Sequence, residues 1–148
     1  PNAKITALDI SKDALQVAKK NAELNNVEIE FINADIFEYQ TDKKYDVIVS
    51  NPPYVLESEK SLMKQNVLDF EPELALFVDD DNALKYYDSI LKFGIRYMKK
   101  MGYLFFEINE NLCPQLQNII VKNNYSYSKA FNDCNNKTRF LLIKNRKC

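Results

Sequence analysis

The sequence predicts an α/β domain built largely on parallel strands, and three observations carry the prediction. Apolar runs of strand length alternate with stretches of helical periodicity. One run, 45–50, is almost continuously apolar, as expected of a strand covered on both faces. Two final extended runs, 126–131 and 138–144, have no helix-length segment between them and so form an antiparallel, hairpin-like end. With 148 residues, 46% of them hydrophobic, the chain is long enough for a single domain with a sizeable core. No internal repeat, low-complexity tract or linker divides it, so residues 1–148 read as one domain.

The elements follow in order. "KITALDI" (4–10) is strand-like, and Ser11 then caps a helix whose apolar positions Ala14, Leu15, Ala18 and Ala22 recur at helical spacing up to about Asn25-Asn26. "VEIEFINAD" (27–35) alternates with period two through Val27, Ile29 and Phe31, which suits a strand with one less buried face. "YDVIVS" (45–50) is the fully covered strand. A helix is expected over 82–99, with Leu84, Tyr87, Ile90, Leu91 and Ile95 on one side, followed by Gly102 as a turn and "YLFFEIN" (103–109) as a strand. Pro114 opens a helix over 114–123, where a missing N–H is tolerated, and the two terminal strands complete the chain.

Composition removes several classes of function. Twenty basic and 21 acidic residues give a net charge of -1, which provides no general electrostatic footprint for naked nucleic acid. No run approaches the ~18 apolar residues of a membrane span, and Pro1-Asn2-Ala3-Lys4 has no signal-peptide core, so a soluble cytoplasmic protein is expected. Cys113, Cys134 and Cys148 are odd in number and far apart, which argues against a disulfide framework or a metal site. Histidine is absent, so triad chemistry and His-based zinc sites are excluded, and any reaction must proceed without an imidazole.

The candidate site residues stand at strand ends. Asp9 closes "TALDIS", where a carboxylate can accept from both ribose hydroxyls of a nucleotide or cap the helix that follows; its position leaves both roles open. Asp35 closes the next strand, with Ile36 and Phe37 available to flank a flat base. In a parallel sheet, neighbouring strand ends point into one crevice, so the two acids support each other. The covered strand runs straight into Asn51-Pro52-Pro53-Tyr54. The prolines lack N–H groups and end the ladder, presenting carbonyls as acceptors. Asn51 adds a side-chain acceptor and Tyr54 a flat wall. A planar amide or amino group could give its two N–H bonds to Asn51 Oδ1 and the Pro52 carbonyl, which turns the nitrogen lone pair toward an electrophile. Glu71 is either an assisting carboxylate or a loop anchor hydrogen-bonded to backbone. Glu107 either lines the same crevice or is a solvated strand-end acid.

At these residues the sequence resembles the class I S-adenosylmethionine-dependent methyltransferases that modify planar nitrogens and share an (N/D)PP(Y/F) signature. Within that group it is similar to the HemK/PrmC family, the protein-glutamine N5-methyltransferases acting on peptide chain release factors. The narrower resemblance rests on "DISKDALQVAKKNAELNN", on "NVLDFEPELAL" (66–76), on "ALKYYDSIL" and on "NDCNNKTRFLLIK", and it covers essentially the whole chain. It implies a Rossmann-like methyltransferase sheet with an antiparallel C-terminal hairpin. It also implies S-adenosyl-L-methionine as cofactor, held by Asp9, Ile10, Asp35, Ile36 and Asn51. The substrate would be a glutamine-bearing loop of a release factor, received by Asn51, Pro52, Pro53, Tyr54 and Glu71, with Asn51, Pro52 and Tyr54 catalytic and no metal.

The family's chain begins earlier, with a helical recognition domain, a first strand and a glycine-rich cofactor loop. The resemblance therefore implies that residues 1–148 are part of a catalytic domain, lacking that strand and loop. Two interior sheet edges would then be open, with weak cofactor binding and self-association through those edges as expectations. A DNA or RNA amino-methyltransferase, which would flip its base into the same pocket, and a non-catalytic binding domain are the alternatives.

Overall fold

The computed structural model describes residues 3–145. They form two compact units, divided between Thr41 and Asp42.

The first unit is a β-α-β element. Strand β1 (Ile5–Asp9) lies parallel to β2 (Ile29–Asn33), with Ile5 opposite Ile29 and Asp9 opposite Asn33. The connecting helix α1 (Lys12–Leu24) begins where Ser11 Oγ accepts the Ala14 N–H. It ends at Asn25, after which Asn26 takes a left-handed φ of 52° and the Val27 N–H reaches the Ala22 carbonyl. This αL stop usually falls to glycine, but the short asparagine side chain tolerates it. Asn124, with φ 60°, closes a later helix in the same way through Tyr125 N–H and the Ile120 carbonyl. The chain thus leaves both of its glycines for other tasks.

The second unit holds a four-stranded sheet in the order β3 (Tyr45–Ser50), β6 (Met98–Glu107), β8 (Thr138–Lys144), β7 (Tyr127–Asn132). β3 runs parallel to β6, whereas β8 is antiparallel to both β6 and β7, so the expected antiparallel end is present. Helices α4 (Lys85–Tyr97) and α5 (Cys113–Lys122) bury Tyr87, Ile90, Leu91, Leu116 and Ile120 with Leu104, Phe106, Leu141 and Ile143 of the sheet. Between β3 and α4 the chain makes an excursion whose mouth is a two-stranded parallel pair, β4 (Val55–Leu56) with β5 (Phe77–Val78). Inside it lie a 3-10 turn (Glu57–Leu62) and two short helices, α2 (Gln65–Phe70) and α3 (Glu73–Leu76). Asp80, just past β5, accepts from both the N–H and the hydroxyl of Ser58 and ties the excursion closed.

Two expectations are corrected. β3 is not covered on both faces: Val47 is 50% and Val49 73% exposed. Its one strand neighbour among the described residues is β6, so the cover that a continuously apolar strand calls for is not supplied by its own unit. Gly102 is not a turn but lies within β6, at a register break where Tyr45 faces Met98 while Val47 faces Tyr103. A Cβ there would stand 2.3 Å from Met98 Cγ and 3.0 Å from the Asp46 carbonyl, so glycine is needed for close approach rather than for reversal. Gly94 has the same role in α4, where a Cβ would lie 2.4 Å from Tyr125 Oη.

Candidate active site

The first unit supplies the acidic strand ends. Asp9 ends β1 and is exposed; its Oδ1 accepts the Ser11 N–H at 2.8 Å. Of the two roles open from sequence, the structure shows the helix entry, held by one carboxylate oxygen; the other oxygen makes no hydrogen bond among the described residues. Ile10 follows, 50% exposed. Asp35, two residues past β2, folds its Oδ1 onto the Phe37 N–H at 2.9 Å while its carbonyl accepts from Glu38 and Tyr39. That Asx turn presents half-buried Ile36 and the 47% exposed ring of Phe37 at the strand end.

Sequence reasoning missed Asn33. Its Nδ2 donates to the carbonyls of Asp9 at 3.0 Å and Ile10 at 2.8 Å, while the Ala34 N–H also bonds to the Asp9 carbonyl. The chain on either side of the Asp9 carboxylate is therefore clamped from the neighbouring strand. No period or motif marks this; the signal lay only in an Asn-Ala-Asp at the end of a strand.

The second unit supplies the turn after β3. Asn51 is exposed and its side-chain amide makes no hydrogen bond among the described residues. Pro52 is buried, Pro53 half-buried, and the chain re-enters extended structure at Val55. This is the rigid exit expected where a ladder loses two N–H donors. Tyr54 is half-buried and its hydroxyl donates to Glu107 Oε1 at 3.1 Å. Burial, followed by that carboxylate, raises the Tyr54 pKa above its ordinary value, against a smaller downward pull from the Arg139 guanidinium. Glu107 is held in turn: the hydroxyl of fully buried Tyr87 donates to its carbonyl at 2.9 Å. Arg139 of β8 reaches the next carbonyl, that of Ile108, at 3.4 Å and returns the Ile108 N–H bond at 2.9 Å. Glu107 is thus more than a solvated strand-end acid.

Glu71 closes α2 through its backbone N–H to Val67, and its carboxylate is exposed, with no anchoring hydrogen bond to backbone among the described residues. Asp9, Ile10, Asp35 and Ile36 belong to the first unit, and Asn51 to Tyr54, Glu71 and Glu107 to the second. No group of three or more metal-ligating side chains exists among the described residues. No helix there is long and apolar enough to cross a membrane.

The profile of the Methyltransferase small domain matches residues 1–72. A release factor glutamine methyltransferase from Bacteroides thetaiotaomicron is 42% identical over 143 residues, covering 95% of this chain and 51% of its own length. The chain spans about half the length of the curated relatives it matches. Among solved structures, a methyltransferase from Pyrococcus furiosus superposes with a TM-score of 0.70 at 19% identity, covering 99% of this chain and 64% of that one. The N-methyltransferase NodS from Bradyrhizobium japonicum, in complex with S-adenosyl-L-homocysteine, superposes with a TM-score of 0.54 at 14% identity, covering 96% and 66%. The chain is similar over most of its own length to release factor glutamine methyltransferases, matches the Methyltransferase small domain over its first 72 residues, and shares the fold of solved methyltransferases.

Proposed function

We propose that the protein transfers a methyl group from S-adenosylmethionine to the side-chain amide nitrogen of a glutamine in a peptide chain release factor. The observation that carries the reading is the exposed Asn51 amide on a proline-stiffened turn, in a chain 42% identical over 95% of its length to a protein of that name. The residues suit the cofactor by the chemistry of their donors and acceptors. Asp9 keeps one carboxylate oxygen for ribose hydroxyls, and the Asp35 turn offers apolar Ile36 and Phe37 to a flat base. Bound there, S-adenosylmethionine supplies an electrophilic methyl group on a positively charged sulfur.

The chain's own part is positioning. Asn51 Oδ1 and the Pro52 carbonyl each accept one N–H of the substrate amide, which takes the nitrogen lone pair out of conjugation and aims it at the methyl carbon. Tyr54 walls the amide and excludes water on that side. The nitrogen becomes acidic once methylated, and its proton leaves without a strong base, in keeping with a chain that has no histidine.

The test is transfer of radiolabelled methyl to a release factor and, in parallel, to an oligonucleotide, with protein expressed from its complete reading frame. Label in the release factor that disappears when its acceptor glutamine is replaced supports the reading. Label in the oligonucleotide alone replaces it with the nucleic-acid amino-methyltransferase. Label in neither leaves a binding domain.

A further inference from the structure

Glu107, at the end of β6, touches the Asn51-Pro52-Pro53-Tyr54 turn from the sheet, with Arg139 of β8 near by. Its carboxylate is a strand-end acid, yet it is half-buried and accepts the Tyr54 hydroxyl at 3.1 Å across 53 residues of sequence. The backbone that carries it is fixed from two sides. Tyr87, fully buried and edge-on to Phe106 with ring centroids 5.0 Å apart, donates to the Glu107 carbonyl. Arg139 exchanges bonds with Ile108 in both directions. Arg139 is itself turned toward this spot by Asp133, whose Oδ2 lies 3.8 Å from its Nε.

We propose that Glu107 is a positioning residue, which fixes the direction in which the Tyr54 ring lies against the Asn51-Pro52-Pro53 turn and so sets the wall that orients the acceptor amide. The argument is geometric. A tyrosine on an irregular segment can swing about two side-chain torsions, and packing alone leaves the half-exposed ring of Tyr54 free on its open side. A single charge-assisted hydrogen bond at the far end of the ring holds the hydroxyl in place and so removes the swing of the side chain. An angstrom of misplacement at an acceptor wall is enough to cost about 100-fold in rate. Glu107 does this without touching substrate: its carboxylate is engaged by the hydroxyl, and its effect passes through the ring. The inference rests on the methyl-transfer reading for its kinetic consequence but not for the contact itself.

Two measurements keep the two apart, both on protein expressed from its complete reading frame. The first follows the Tyr54 Cζ resonance in 13C-tyrosine-labelled protein, assigned by Tyr54→Phe. Glu107→Leu should move and broaden it, and Glu107→Gln, whose amide oxygen still accepts the hydroxyl, should leave it sharp. An unmoved resonance in Glu107→Leu overturns the proposal whatever the enzyme's substrate. The second is a kinetic cycle with the release factor. Glu107→Leu should lower kcat by about 10- to 100-fold with an unchanged Kd for S-adenosylmethionine, and Glu107→Gln should stay within about threefold of wild type. In a Tyr54→Phe background, Glu107→Leu should cost nothing further. Equal additional loss there shows that Glu107 acts on its own account and sinks the positioning role. Absence of methyl transfer in the wild type refutes the proposed substrate and leaves the resonance to decide the contact.

Discussion

Replacing Gly94 by alanine reverses its sign with the identity of one distant side chain. Gly94 lies inside α4, where an exposed glycine-to-alanine change would stabilise the helix by about 1 kcal/mol. Here the new methyl would stand 2.4 Å from Tyr125 Oη, about 1 Å short of the 3.4 Å at which ordinary contact begins. The hydroxyl cannot step aside cheaply. It ends a rigid ring that is 8% exposed, and it donates to the Leu91 carbonyl at 2.7 Å. Moving it strands a buried donor, at about 1–3 kcal/mol, and adds crowding of a similar size. After the propensity gain, Gly94→Ala should destabilise by about 1–5 kcal/mol. Tyr125→Phe alone should cost about 1 kcal/mol, because the Leu91 carbonyl keeps its helical partner. In the Tyr125→Phe background the nearest ring atom lies at 3.6 Å, an ordinary contact, so Gly94→Ala should there stabilise by about 1 kcal/mol. Urea unfolding of the four proteins, followed by circular dichroism, reads the cycle. Equal effects of Gly94→Ala in both backgrounds would refute the steric reasoning.

Three further outcomes are expected. Asp9→Ala should weaken S-adenosylmethionine binding by about 1–3 kcal/mol, the scale of a lost charge-assisted hydrogen bond, as isothermal titration would show; an unchanged Kd removes Asp9 from the cofactor site. Asn51→Ala should lower kcat far more than cofactor affinity, and equal losses in single-turnover and binding measurements would make Asn51 structural. Asp133 accepts the N–H groups of Lys137 and Asn135, which with the Arg139 charge hold its pKa below the ordinary aspartate value of 3.8. A depressed native pKa stabilises the turn above the unfolded value and ceases to do so as pH falls through the native one. Amide exchange of Asn135 and Lys137 should therefore accelerate, beyond its intrinsic pH dependence, only below about pH 4, and Asp133→Asn should remove that step.

The elements were legible where hydrophobic period and caps agreed. Ser11, the Asn25-Asn26 stop and the pair of terminal strands all lie within a residue or two of their expected positions. The failures have physical causes. Gly102 read as a turn because glycine's commonest use is conformational, whereas here it makes room for the Asp46 carbonyl across a strand pair that no local window contains. β3 read as doubly covered because an apolar run reports the cover a strand needs, not which part of a protein provides it. The excursion over 57–82 carried no period long enough to read, being built of helices of four to six residues. At the site, Asn51, Pro52 and Tyr54 were visible as a motif, since their chemistry is local. Asn33 and Glu107 were not assigned their parts, because what they hold lies 24 and 53 residues away.

The antiparallel strand β8 gives the site a place in time as well as in space. Tyr54 leaves the ribosome before its carboxylate partner, which is 53 residues downstream, and the Ile108–Arg139 exchange that steadies that partner spans 31 residues more. At any moment before Arg139 has left the ribosome, the nascent chain can form α4 locally but cannot lock the wall beside Asn51. A premature stop within β7 should therefore release a protein with an intact signature and no ordered place for an acceptor.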